Sequence, residues 1–153
     1  MNAEIEVEVE ADAWLVVPAV EECTRRAAQA ALGERDGGLS VLLADDEAVR
    51  ELNREWRRKD QPTNVLSFPA PATAAPHLGD VALAYETCAR EAAEQGKALA
   101  DHLTHLVAHG VLHLLGWDHQ TDAEADQMEA LERDILARLG VPDPYRDRAA
   151  AHG

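Results

Sequence analysis

Leu103-Thr104-His105-Leu106-Val107-Ala108-His109-Gly110-Val111-Leu112-His113-Leu114-Leu115-Gly116-Trp117-Asp118-His119 is the stretch whose reading decides the fold. It is an apolar run with histidines set into it, and it predicts a buried helix from about Leu99 to Leu115. Residues four apart on a helix lie on one face about 6 Å from each other, so His109 and His113 can point at one ion. Gly116 is the expected stop, because glycine takes the left-handed conformation without steric cost. The chain can then double back and bring His119 to the same point. Three neutral imidazoles leave the fourth corner of a tetrahedral zinc open, which is the layout of a catalytic site. A lone histidine on an apolar helix is more often a satisfied core residue. Three at ligand spacing, with a turn glycine between the second and third, predict one zinc ion per chain.

His105 also stands four residues before His109, but it is eight from His113, about 12 Å along a straight helix. Zinc ligands all lie within about 2.1 Å of the ion, so His105 and His102 read as packing or supporting groups. Asp118 reads as a residue that orients a ligand or braces the turn.

Outward from this helix the pattern alternates strands and helices. Glu4 to Glu10 alternates strictly, with Ile5, Val7 and Val9 on one side and glutamates on the other, as in a half-buried edge strand. Pro18 opens a helix with Val20, Cys23, Ala27, Ala30 and Ala31 as its apolar side, ended by Gly33. Gly37-Gly38 reads as a turn and Leu39 to Ala44 as a buried strand. Asp45 is the cap of the next helix, whose stripe is Val49, Leu52 and Trp56. Asn64 to Phe68 and Gly79 to Tyr85 read as strands, separated by a proline- and alanine-rich loop or lid from Pro69 to His77. A helix from Glu86 to Gln95 stops at Gly96. Thr121-x-x-Glu124 is a capping box for a last helix that buries Met128, Leu131, Ile135, Leu136 and Leu139. The order βαβαββααα predicts an α+β domain with a small mixed four-stranded sheet and helices mainly on one side. A chain of 153 residues suits a single catalytic domain over 1–153, with a flexible tail over about 141–153.

Composition narrows the function. The net charge of −15 argues against a general nucleic-acid binder, though not against an enzyme with a local basic groove. Cys23 and Cys88 have no CxxC spacing and the N-terminus is a charged strand, not an apolar leader; free thiols in a reducing cytoplasm are expected. No stretch reads as membrane-spanning. The exception to the acidic balance is Arg50 to Lys59, where Arg50, Arg54, Arg57, Arg58 and Lys59 against Glu51 and Glu55 leave +3. By itself this is a solvated helix face. It runs, however, into Asp60-Gln61-Pro62-Thr63-Asn64-Val65-Leu66-Ser67-Phe68-Pro69, a turn dense in hydrogen-bonding groups, and guanidinium forks suit phosphate.

Trp56 to Pro69, then Gly79-Asp80-Val81, then His109 to His119 resemble, in matching order, the YbeY family. The resemblance spans roughly Leu52 to Leu139. It implies a zincin-like fold with the metal site on the central helix of the C-terminal half, zinc on His109, His113 and His119, and single-strand-specific endoribonuclease activity. It further implies a role in small-subunit ribosomal RNA 3-prime-end maturation and ribosome quality control. The implied partners are small-subunit ribosomal proteins and an Era-type GTPase. The family's functional arginine falls on Arg57; Arg58 departs from the pattern, where glycine is frequent.

Two other readings share the histidines. A zincin-type metallopeptidase would carry HExxHxxGxxH, but Gly110 stands in place of the glutamate that activates water, and Met128 sits in a helical pattern, so no Met-turn is evident. A non-enzymatic ribosome-assembly module would instead hold a structural zinc with four protein ligands.

Overall fold

A computed structural model describes residues 3–57, 63–117 and 121–144. The strands are β1 (Ala3–Val9), β2 (Gly37–Ala44), β3 (Val65–Pro69) and β4 (His77–Ala84). The helices are α1 (Val20–Leu32), α2 (Asp46–Arg57), α3 (Tyr85–Glu94), α4 (Leu99–Leu114) and α5 (Asp122–Arg138). Short 3-10 helices cover Asp12–Val16 and Ala72–Ala74. The fold is α+β and the predicted order of elements holds.

The four strands form one sheet in the order β1-β2-β4-β3. β1, β2 and β4 run parallel, while β3 pairs antiparallel with β4. β1 lies at an edge, as its outward glutamates require. The register aligns Val7, Val41, Val81 and Ser67 in one row across the sheet. Alternation along each strand turns this row toward the main core, where Leu39, Leu43 and Leu83 join residues of α1, α4 and α5. The opposite face is narrower: Ala44, Leu66, Ala82 and Ala84 receive α2 through Val49. Small side chains on that side let the helix lie close.

Several local expectations hold for the reasons that suggested them. Ala48 N–H donates to Asp45 Oδ1 at 2.8 Å, so Asp45 caps α2. Glu124 N–H donates to Thr121 Oγ1 at 3.1 Å and starts α5. Cys23 and Cys88 are free. Among the described residues no helix is long and apolar enough to cross a membrane.

Others need correction. Gly37-Gly38 belongs to β2 and is not a separate turn, since parallel pairing with β1 extends through both residues. Tyr85 starts α3 instead of ending β4, and its ring packs edge-on against Trp14, 5.2 Å between centroids. The proline-rich loop is shorter than expected, because Pro69 and His77 are already paired strand residues. Trp56 is not core: it is 71% exposed. The stripe direction is right, but at the last turn of α2 an open groove of about 1340 Å³, lined by Leu42, Leu52, Trp56, Phe68 and Asp80, replaces packed neighbours.

At Gly110 the α4 backbone approaches the sheet closely. A Cβ there would lie 2.7 Å from Val81 Cγ1 and 3.2 Å from Ser67 Oγ. Ser67 Oγ donates to the Gly110 carbonyl at 2.9 Å, fixing the helix to β3 at the same level. Val81 is fully buried and β-branched, so it cannot swing aside. Gly110→Ala should therefore lose stability even though alanine favours helix by about 1 kcal/mol. Overpacking costs about 1–3 kcal/mol, so a net loss of up to about 2 kcal/mol and a melting point lower by up to about 8 °C are expected. A melting point that rises would show that α4 does not touch the sheet there.

Candidate metal centre

The packing of Gly110 onto the sheet sets the rotation of α4 and therefore where its histidines go. His109 and His113 flank the contact and turn their rings toward each other, with Nε2 atoms 3.1 Å apart and centroids 4.6 Å apart. A tetrahedral zinc with ligands at about 2.05 Å holds its nitrogens about 3.3 Å apart, so this pair fits one ion. The two rings line a cleft of about 340 Å³ whose other wall is Thr63, Asn64, Val65, Leu66, Ser67 and Pro69. The histidine pair and the Thr63-to-Pro69 part of the second constellation thus face each other across one space.

The turn that should bring His119 back begins as predicted. Gly116 has φ of +97°. Its N–H donates to the His113 carbonyl at 3.0 Å, and Trp117 N–H donates to the Leu112 carbonyl at 3.0 Å. This pair of bonds is a Schellman cap. His119 itself and Asp118 lie outside the described residues. So do Arg58 and Lys59 and the side chain of Arg57, whose backbone closes α2. Among the described residues no three His, Cys, Asp or Glu side chains gather as a ligand set; they supply the pair.

The residue that sequence reasoning missed is Glu132. It is 1% exposed, on the face of α5 that also buries Met128, Ile135 and Leu136. Its Oε1 lies 2.7 Å from His109 Nδ1 and 3.2 Å from His105 Nε2. An ionised carboxylate only accepts, so against an ionised Glu132 the donor would be His109 Nδ1–H, leaving the Nε2 lone pair free to coordinate. The available signal was a glutamate within the apolar stripe of α5, four residues after Met128 and three before Ile135.

His105 and His102 are supporting groups, as their spacing required. His102 Nε2 meets Glu91 Oε1 at 2.9 Å, and the same oxygen accepts from Asn64 Nδ2 at 3.0 Å. Ala84 N–H donates to the Asn64 carbonyl at 2.9 Å, so this wall of the cleft is held from two sides. Burial pushes the His102 pKa below its ordinary value, outweighing the pull of Glu91, and the ring is neutral at neutral pH. Burial, then the charge of Glu91, push the Cys88 thiol up to about 12, which removes it as a nucleophile.

Residues 3–140 match the family model described as Endoribonuclease YbeY. The chain belongs to the YbeY family. A YbeY relative named Endoribonuclease YbeY, from Paramagnetospirillum magneticum, is 53% identical, over 97% of this chain and 99% of its own. Another of that name, from Bradyrhizobium sp. strain BTAi1, is 51% identical, over 94% of this chain and 92% of its own. In fold the chain is similar to the solution structure of TM1509 from Thermotoga maritima, with a TM-score of 0.56 at 22% identity, covering 88% of this chain and 91% of that one.

In this YbeY chain nothing lies within 4 Å of a Cβ added at Gly116, so substitution there meets backbone strain alone. Gly116→Val should cost about 2 kcal/mol, while Gly116→Asn, which tolerates the left-handed region, should cost much less. Equal thermal stability of the wild-type and valine proteins would show that the chain leaves α4 in another conformation.

Proposed function

We propose that this chain is a zinc-dependent endoribonuclease that cuts single-stranded RNA, acting in 3-prime-end maturation of small-subunit ribosomal RNA and in ribosome quality control. The observation that carries the reading is the cleft itself, where two converging imidazole nitrogens face the Thr63-to-Pro69 wall. The names of the relatives, at about half identity over nearly the whole chain, give the same direction. The reading includes a cytoplasmic location, with small-subunit ribosomal proteins and an Era-type GTPase as partners.

His109, His113 and His119 would hold the ion. When bound, it would supply Lewis acidity toward a phosphoryl oxygen and lower the pKa of a water at the site. The remaining work falls to the chain. Asn64, pinned by Glu91 and the Ala84 N–H, offers a fixed polar wall along which a strand can lie. Arg57 closes α2, six positions before Thr63 in the sequence, and would pair with phosphate charge as it develops. Against the peptidase alternative stands Gly110, whose missing side chain points at Val81 and Ser67, so no carboxylate can be accommodated there.

The test is zinc content and RNA cleavage on one preparation of each variant. His109→Ala, His113→Ala and His119→Ala should each lose zinc, whereas His105→Ala should retain it. Arg57→Ala should keep zinc and fold yet cleave single-stranded RNA about 10²–10³-fold more slowly. Arg57→Lys should recover only part, because a point charge cannot make the two-pronged contact. Raising salt should weaken RNA binding by the wild type more than by Arg57→Ala. Full zinc occupancy in His119→Ala would remove the three-histidine site. Wild-type cleavage by Arg57→Ala would return Arg57 to the solvated face of a helix, and cleavage of peptide instead of RNA would favour the peptidase.

A further inference from the structure

A buried carboxylate that touches two histidines of the same helix invites a specific question. Glu132 and its partners could be fold glue, or they could act on the metal site. Geometry separates the two. Oε1 of Glu132 is the shared atom, with His105 Nε2 on one side and His109 Nδ1 on the other. On His109 the bonded nitrogen is the one remote from His113, while Nε2 is the one that approaches His113 Nε2 at 3.1 Å. The carboxylate therefore holds the ring by its back edge and leaves the front edge for coordination. His105 cannot coordinate together with His113, being two helical turns away, yet it meets the same oxygen. Its role follows: it holds Glu132 Oε1 from the far side.

We propose that Glu132, steadied by His105, is the positioning residue of the metal centre, fixing His109 as the Nδ1–H tautomer and orienting its Nε2 toward the ion. The inference rests on the zinc reading above. The carboxylate charge also makes the imidazole a stronger donor, and carboxylates that brace a metal-bound histidine in this way commonly contribute 10–100-fold to metal affinity. Glu132 comes from α5, which so fixes the metal ligand of α4 as well as covering the core.

The experiment measures zinc dissociation constants by chelator competition on folded wild type, Glu132→Gln, Glu132→Ala and His105→Ala. Nitrogen-15 spectra of the zinc-free proteins report the His109 tautomer. Glutamine keeps the shape and an accepting oxygen but not the charge, so Glu132→Gln should bind zinc about 10-fold more weakly at an unchanged fold. Glu132→Ala should lose up to about 100-fold and show a mixture of His109 tautomers. His105→Ala should retain zinc with a few-fold loss. If Glu132→Ala fails to fold, the glutamine variant carries the test. A purely structural role would lower the melting point in these variants while leaving zinc affinity and tautomer untouched, and that result overturns the proposal. A wild type that takes up no zinc overturns the metal reading and this inference with it; a wild type that binds, with Glu132→Gln binding equally, overturns this inference alone.

Discussion

The contact between Gly110 and Val81 is the constraint on which the rest depends. A helix as apolar as α4 has no single buried stripe to set its rotation: Leu103, Leu106, Val107, Ala108, Val111 and Leu112 are all buried. What fixes its rotation is the one position without a side chain, which seats on β4 where Val81 stands, with Ser67 of β3 bonded to the Gly110 carbonyl. A glycine inside a helix is destabilising by about 1 kcal/mol relative to alanine, and close approach of backbone to sheet offsets that loss. Once Gly110 faces the sheet, His109 and His113 fall at the rim where β3 ends the layer. The same contact explains why a protease glutamate is absent. Its position is occupied by packing.

Two glutamates, Glu132 fully buried and Glu91 half-buried, brace α4 at different levels in the same way. Glu91 of α3 joins His102 to Asn64, and Glu132 of α5 joins His105 to His109. A carboxylate removed from water is costly unless its oxygens are bonded, so each of these helices is held in one register by the partners its glutamate needs. The polar pairs specify where α3 and α5 dock; the apolar contacts supply most of the attraction. The cleft consequently has one wall set by Glu91 through Asn64 and one set by Glu132 through His109.

Much of this was legible because it depends on short sequence separations. Periodicity gave the elements, Asp45 and Thr121 gave two helix starts, and the four-residue spacing of His109 and His113 gave the converging pair. The failures share a cause, which is that tertiary neighbours decide them. Trp56 follows Val49 by two turns on one stripe, yet burial needs something opposite, and the sheet leaves a groove there. Tyr85 has strand-forming chemistry, but its ring packs on Trp14 and the backbone has already turned into α3. Glu132 is 23 residues from His109, and no local rule pairs them. Of the predicted site, His109 and His113 come together as expected, while His119 and the Arg57 side chain lie outside the described residues.

A chain of net charge −15 that acts on a polyanion has to separate global from local electrostatics. At physiological ionic strength the screening length is about 8 Å, so acidic groups on the far side of the domain are little felt in the cleft. Local charge then decides. Within the basic window Arg54 is paired to Glu51 on its own helix and exposed to solvent, where an ion pair leaves little free field. The first turn of α2 is acidic and tied to α3: Asp46 Oδ1 and Oδ2 accept from the Thr87 N–H at 2.9 Å and hydroxyl at 2.8 Å. The acidic end of α2 is thus anchored to α3, while the helix closes on Arg57 at its other end. In the proposed function, Arg57 at the close of α2 would supply that local positive charge to a strand in the cleft.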